Sequence, residues 1–517
     1  MEIKKRTPIL ATAMMVAVAM VAGLFGGGLI NAPITVYAAS SGATIDVNDS
    51  TTASGTGWTY SSNAFTIEDG ANVTITGTTT TNRIIVAASA TVDITLDNAD
   101  IQPAASMAFD IANTSTVNLT LVGANILKSD GGVRAGLRVP AGATLTIGGN
   151  GSLTATGSGG AGIGQVSGSG ASNAGTIIIN SGTITANGGT NSAGIGSGSG
   201  ASGSGGDITI NGGVVTAAGH QNGSGIGGGQ NCSGGNITIN GGTVTAIAGG
   251  SGTSSGIGCG TGGADNGTLV MNGNAFVTAY SASVANSLTA NTDGVVNGVL
   301  FKGLQGSVYG SVYLFNNATV PAGRTLTVPS NTFLTVDSGI TLTNNGTINV
   351  AAQGKLVVLG SISGGGTSGI NANSSVVLKL LYNPGTNGAG DARTEYSSSL
   401  AGAIYTRDGY TQTGWSVNAD GSTKDHDLNI IIPSLSIGTL YPVWTLNHVC
   451  DPCELDHCDD GDCPVCGQPH CPDPSAHDDN GLSGAAIAGI SVGSTAAVCL
   501  GGSFALWWFV LRKRKIA

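Results

Sequence analysis

Along the middle of the chain, aliphatic residues alternate with Thr, Asn or Ser over stretches of four or five positions, and Gly-rich turns separate the stretches. Alternation at period two predicts strands with one face turned inward. No stretch is long enough, or periodic at 3.6, to predict a helix. The stretches recur in three series. Ala161-Gly162-Ile163-Gly164 returns as Ala193-Gly194-Ile195-Gly196, Ser224-Gly225-Ile226-Gly227 and Ser255-Gly256-Ile257-Gly258, the isoleucines 32, 31 and 31 residues apart. The second series is Ile177-Ile178-Ile179-Asn180, Ile208-Thr209-Ile210-Asn211, Ile237-Thr238-Ile239-Asn240 and Leu269-Val270-Met271-Asn272. The third is Thr183-Ile184-Thr185-Ala186, Val214-Val215-Thr216-Ala217, Thr243-Val244-Thr245-Ala246 and Phe276-Val277-Thr278-Ala279. Such a unit buries its apolar side only by stacking on its neighbours, so the repeats predict a solenoid with three short strands per coil. One-way progression makes it a parallel β-helix, and crossovers between parallel strands predict a right-handed winding.

Upstream, Val92-Asp93-Ile94-Thr95-Leu96 matches Val117-Asn118-Leu119-Thr120-Leu121 at a 25-residue step, and Thr144-Leu145-Thr146-Ile147 continues that series at about the same step. Trp58 and Tyr60 precede the first repeats and are candidates to plug the open end, as terminal repeats must be capped. Downstream, Leu326, Leu334, Leu342, Ile348 and Leu356 mark short strands six to eight residues apart, so the same coil is expected to continue with tighter turns. The expected division is an N-terminal cap and coils over 39–140, 31-residue repeats over 141–279 and coils with short turns over 280–375.

The pattern changes at both termini. Lys4-Lys5-Arg6 followed by the uncharged, mostly apolar run Ile9 to Ile30 reads as a signal peptide over 1–38, cleaved before Ala39 after Val36-Tyr37-Ala38. Gly484 to Leu511 carries no charge and is long enough to cross a hydrocarbon core of about 30 Å. Trp507 and Trp508 lie near its end, and Arg512-Lys513-Arg514-Lys515 opens a basic cytoplasmic tail over 512–517. The expectation is a single-pass protein of the cell membrane, with most of the chain outside and the C-terminus in the cytoplasm.

Composition narrows the chemistry. Of 517 residues 87 are Gly, without the strict three-residue period of collagen, and only 9% are charged against an ordinary value of about 25%. The net charge of −11 offers no basic face to nucleic acid. From Val139 to Phe301 there is no Lys, Arg or Glu, and the acids are Asp207, Asp265 and Asp293. Glycoside hydrolysis needs two carboxylates at a set separation, and lyase chemistry needs a base beside cations; this stretch supplies neither. His220 is its one histidine and reads as solvated. Between Ile111 and Ala275 there is no Phe, Tyr or Trp on which a sugar ring could stack. The aligned Asn180, Asn211, Asn240 and Asn272 are read first as a ladder of amides between coils, and second as a polar stripe for a glycan. Asp207 in Gly205-Gly206-Asp207-Ile208-Thr209-Ile210 lies in a calcium-repeat-like context. The following copy has Asn236 in its place and the step is wrong, so calcium is rejected there.

Cysteines gather at 447–480. Cys450, Cys453, His457 and Cys458 are echoed 13 residues later by Cys463, Cys466, His470 and Cys471. Paired C-x2-C units suit a tetrahedral zinc, and six cysteines outside a cell equally suit three disulfides; both readings stay open. Either one makes this short unit a staple, because so few residues cannot build a core alone. Cys232 and Cys259 lie in adjacent coils at different offsets, so a disulfide between them is a further candidate.

The Ala-Gly-Ile-Gly and Ile-Asn-Gly-Gly coils, roughly Ala39 to Gly366, resemble β-helix surface proteins of Gram-positive bacteria, some of them labelled carbohydrate-binding. A second resemblance covers 376–446. Leu381-Tyr382-Asn383-Pro384-Gly385, Arg407-Asp408-Gly409-Tyr410-Thr411-Gln412-Thr413-Gly414-Trp415 and Thr439-Leu440-Tyr441-Pro442-Val443-Trp444-Thr445 are similar to the Listeria–Bacteroides repeat of internalin-type proteins. That resemblance implies a small β-grasp module used as a surface spacer or adhesion element, in which Trp415 and Trp444 would be core. The combined expectation is a mainly β protein: a right-handed parallel β-helix, a β-grasp-like module, a Cys-rich unit and one transmembrane helix. Its expected role is adhesion or structural display without catalysis, with an extracellular glycan or a host or cell-surface protein as partner. Carbohydrate binding that retains polysaccharide is the alternative, and a polysaccharide lyase or hydrolase the remote one.

Overall fold

A computed structural model describes residues 42–447, apart from 169, 171, 251–252, 282–287, 289, 371–374, 387, 431–434, 436 and 438. The signal-peptide segment, the eight Cys and His residues from Cys450 to Cys471, the apolar run Gly484 to Leu511 and the basic tail lie outside the described residues. Among the described residues there are strands and no helix, so none is long and apolar enough to cross a membrane. The chain divides into two units, the first running essentially to Lys379.

The first unit is a β-helix-like solenoid of parallel strands whose register follows the repeats residue for residue. Ile163 pairs with Ile195, Ile195 with Ile226 and Ile226 with Ile257. The second series pairs Ile177 with Ile208 and Ile208 with Ile237. The third pairs Ile184 with Val215 and Val215 with Val244. Like side chains therefore stack in columns. The inward columns, such as Ile147, Ile179, Ile210, Ile239 and Met271, are fully buried, while the Thr residues between them face out.

The Ala-Gly-Ile-Gly motif has a steric cause. At Gly164, Gly196 and Gly227 the backbone has φ of 138°, 130° and 124°, a region in which side chains are strained. A Cβ at Gly196 would lie 2.1 Å from the carbonyl oxygen of Gly227 in the next coil. Only glycine lets the coils close at this corner, and the flanking Ala193 and Ile195 fill the interior.

The N-terminal end is closed by an antiparallel ribbon. Trp58–Ser61 pairs antiparallel with Ala64–Ile67, which in turn starts the parallel series by pairing with Arg83–Val86. Trp58 and Tyr60 pack on Phe65 with ring centroids 5.5 and 4.6 Å apart. A covered edge of this kind blocks further strand addition.

Downstream of residue 280 the expected continuation of one coil does not occur. Strand Asn291–Lys302 runs parallel to Thr268–Tyr280, but Gln305–Tyr309 then pairs with it antiparallel. The strands that follow, Thr325–Val328, Thr347–Val350 and Thr367–Ile370, keep the new direction. The core changes sides as well. Val277 and Leu300, paired in register, belong to the first core. Their neighbours Phe276, Thr278, Val299 and Phe301 point the opposite way and are also buried. Val308 faces Val299, and Gly306 faces both Phe301 and Leu326, so the second core grows on what is the outer face of the first. Phe276 and Phe301 meet at 5.6 Å between ring centroids. Reversing the strands alone would invert the hand of winding, and so would moving the core alone; together they leave both solenoids with one hand.

The second solenoid has shorter coils with three separate sheets. One continues the long sheet, a second runs through Ser311–Leu314, Phe333–Val336, Lys355–Val358, Ser375–Tyr382 and Arg393–Ser397, and a third through Ala318–Val320, Thr341–Asn344 and Ser361–Ser363.

The second unit is small and centred on Trp415, which is fully buried. Strands Tyr410–Ser416 and Tyr441–Leu446 form an antiparallel ribbon, and Tyr382 bridges Leu440. Tyr382 and Tyr405 pack on the indole at 4.7 and 6.0 Å between ring centroids. The indole Nε1–H donates to the carbonyl of Ala401 at 2.9 Å, and the Tyr382 hydroxyl accepts from the Ala401 N–H at 2.8 Å. Trp444 departs from expectation: it is half-buried rather than core.

Candidate functional site

The outward polar rows of the first solenoid are largely occupied by one another. Asn211 Nδ2 donates to Asn180 Oδ1 at 2.8 Å, and Asn240 Nδ2 donates to Asn211 Oδ1 at 2.9 Å. This is the amide ladder. Asn272, the fourth member by sequence, instead pairs in register with Asn297 at the junction. Asp207 Oδ1 accepts from Asn236 Nδ2 at 2.9 Å, and the same pairing joins Asp93 to Asn118 one coil apart upstream. His220 is exposed on a turn. Among the described residues no three His, Cys, Asp or Glu side chains come together in a way that could hold a metal.

Cys232 and Cys259 are both buried and are not joined to each other, so the candidate disulfide between them does not form. The Cys232 thiol donates to the carbonyl of Gly198 at 3.4 Å, and that of Cys259 to Asn266 Oδ1 at 3.0 Å. Burial pushes the Cys232 thiol above its ordinary pKa, which keeps it protonated and unreactive.

A different surface carries the most distinctive side chains, and it lies on the second solenoid. In the sheet that begins with Ser311–Leu314, the odd-numbered residues of that strand face out. Tyr313 and Phe315 are each 49% exposed, with ring centroids 6.5 Å apart and the ring planes within 12° of parallel, one stacked beside the other. Register places Ser311, Phe333, Lys355 and Ser375 in one row and Tyr313, Thr335, Val357 and Val377 in the next. Phe333 is 42% exposed, and the Lys355 ammonium sits 5.9 Å from its ring centre. Two side-chain carbonyls reached from the junction hold the strand in place. The Ser311 N–H donates to Asn297 Oδ1 at 2.8 Å and the Tyr313 N–H to Asn274 Oδ1 at 3.0 Å.

No family model, curated protein or solved structure matches the chain. The reading of this face therefore rests on its own chemistry. Lys302 to Lys379 holds four bases (Lys302, Arg324, Lys355, Lys379) and one acid, Asp337, in a chain of net charge −11. Arg324 is engaged elsewhere: its guanidinium lies 4.4 Å from the Tyr280 ring centre and donates to the Gly303 carbonyl at 2.6 Å. The aromatic sheet carries the bases Lys355, Lys379 and Arg393 together with the acid Glu395, and Asp337 directly follows its Phe333–Val336 strand. Sequence reading passed over this face because the aromatics are far apart along the chain. The signal was the 22-residue step from Ser311 to Phe333 to Lys355, which puts them in one column.

Proposed function

We propose that the chain is an exported bacterial surface protein, held by its C-terminal apolar segment, that serves adhesion or structural display and is not a catalyst. The observation that carries this reading is the continuous sheet of the first unit. Fourteen strands stack in register from Ala43–Asp46 to Thr367–Ile370. At a spacing of about 4.8 Å per strand this makes a spacer of roughly 60 Å. Its outward rows are hydrogen-bonded between coils, which favours stiffness. Right-handed winding follows from the general preference of parallel crossovers. The unit around Trp415 is read as the β-grasp-like module, and the Cys-rich segment as a staple closed by zinc or by three disulfides. The test is protease treatment of intact cells carrying a tag after Ala517. Digestion of the solenoid with retention of a small tagged fragment is expected; a fully protected chain would overturn the reading.

Carbohydrate binding that retains polysaccharide is the second reading, favoured by the exposed, near-parallel rings of Tyr313 and Phe315.

A further inference from the structure

We infer that two copies of this chain pair face to face through the outward side of the sheet beginning with Ser311–Leu314. The two-fold axis runs along strand Lys355–Val358, and Asp337 of each copy pairs with Lys379 of the other.

Three observations carry it. First, every exposed aromatic side chain among the described residues lies on this sheet or directly beside it: Tyr313, Phe315, Phe333 and Tyr396. A contiguous apolar face of this kind marks an interaction surface. Second, its charges are arranged to complement themselves. The register runs on into one row of Phe315, Asp337, Leu359 and Lys379, so the acid and the base stand one strand to either side of Lys355–Val358. Neither has an ion-pair partner among the described residues. An axis along the middle strand sets each opposite the other, twice in every contact. In the next row Val357 meets its own copy and Thr335 meets Val377. Third, Lys355, which lies on the axis, leans away from it, its ammonium 5.9 Å from the centre of the Phe333 ring on the neighbouring strand. The two ammoniums therefore fall on opposite sides of the axis, about two strand spacings or roughly 10 Å apart, where salt screens their repulsion. A face of five strands and three outward rows is at the small end of specific interfaces, so the dimer is weak and reversible.

The experiment is sedimentation velocity of the full-length chain in a neutral detergent, at concentrations up to about 1 mM. A reversible dimer that weakens with added salt is expected. Asp337→Lys and Lys379→Asp should each weaken it about tenfold or more, because each sets two like-charged pairs across the contact. Mixing these two variants should restore it, since only the mixed pair places each of these lysines opposite a carboxylate. Tyr313→Ser with Phe333→Ser should weaken it by a similar factor of about ten. Lys379 is exposed, so its variant should melt as the parent does; it decides alone should Asp337→Lys, which also loses the acceptor for the Ser338 N–H, fail to fold. A chain monomeric at every concentration would overturn the inference, as would a dimer that Lys379→Asp does not weaken. So would charge variants that dimerise no better mixed than alone. A monomeric chain retarded in gels containing dextran or polygalacturonate, and released by the aromatic changes, would assign the face to a glycan instead. Surface display is read separately by protease on intact cells, so a displayed monomer sinks the contact and leaves the display reading standing.

Discussion

Changing Gly196→Ala should open the solenoid locally, and the size of the effect follows from the corner geometry. The new methyl group would sit 2.1 Å from the Gly227 oxygen, at a φ of 130° that side chains avoid. Relief requires the coils to part, yet they are joined on either side of the corner. The Ile195 N–H donates to Gly225 O at 3.0 Å and the Ser197 N–H to Gly227 O at 3.0 Å. Backbone strain of about 1–3 kcal/mol plus two weakened hydrogen bonds of about 1 kcal/mol each gives roughly 4 kcal/mol. Cys232, in the coil that would be displaced, supplies the assay. Its thiol is fully buried and held protonated, so alkylation must wait for the coil to open. At about 1.4 kcal/mol per tenfold, labelling of Cys232 under native conditions should accelerate by nearly three orders of magnitude. Mass spectrometry of the peptide distinguishes it from the other thiols. Gly250→Ala is the control, because a Cβ there meets nothing within 4 Å and φ is ordinary; it should leave the rate unchanged or slightly lower it. Labelling of the Gly196→Ala chain within about twofold of the parent would refute the corner argument, since the smallest strain term alone predicts more.

Three further outcomes test other parts of the molecule. Leu300→Ala and Phe301→Ala alter adjacent residues that face different cores and should each cost about 2–5 kcal/mol. Hydrogen exchange should show the first loosening the coils before Thr268 and the second those after Gln305, and a shared pattern would contradict the change of face. In the second unit, Trp415→Phe should cost about 1–3 kcal/mol by leaving the Ala401 carbonyl without its indole donor, as read by thermal unfolding of the chain followed by near-UV circular dichroism. An unchanged midpoint would remove that hydrogen bond from the account. Asp49, whose carboxylate accepts from the Thr51 hydroxyl and N–H and from the Thr52 hydroxyl, has its pKa lowered to about 2 by those bonds. A depressed folded pKa means the turn gains stability above the ordinary carboxylate range and loses it as pH falls through about 2. A carboxyl carbon titration with its midpoint near the ordinary value would disprove this.

The parallel register was legible because identical side chains stack on themselves, so aligning Ile163, Ile195, Ile226 and Ile257 by sequence aligned them in space. The change of face was harder to see. An alternating pattern reports one buried face, and beyond Ala275 the alternation stops. Ala275 to Ala279 and Val299 to Phe301 are consecutive buried residues, the mark of strands covered on both sides. That signal was present in Phe276-Val277-Thr278-Ala279 but hidden by the resemblance of this segment to the preceding copies. The burial of Cys232 and Cys259 was not legible either, since their depth depends on corners that glycine alone permits. Of the candidate site, the amide ladder was read from its spacing, whereas the aromatic face needed the length of the second coil, which the six-to-eight-residue spacing of single strands did not supply.

The reversal at Gln305–Tyr309 also divides the rod into two parts whose lengths are free to differ. A coil duplicated before Thr268 extends the first part by about 4.8 Å, and one duplicated after Thr325 does the same for the second. Neither insertion disturbs the junction, the hand of the winding or the ribbon of Trp58 that closes the N-terminal end. The length of the solenoid is thus a quantity that recombination can adjust in small, equal increments from two separate places.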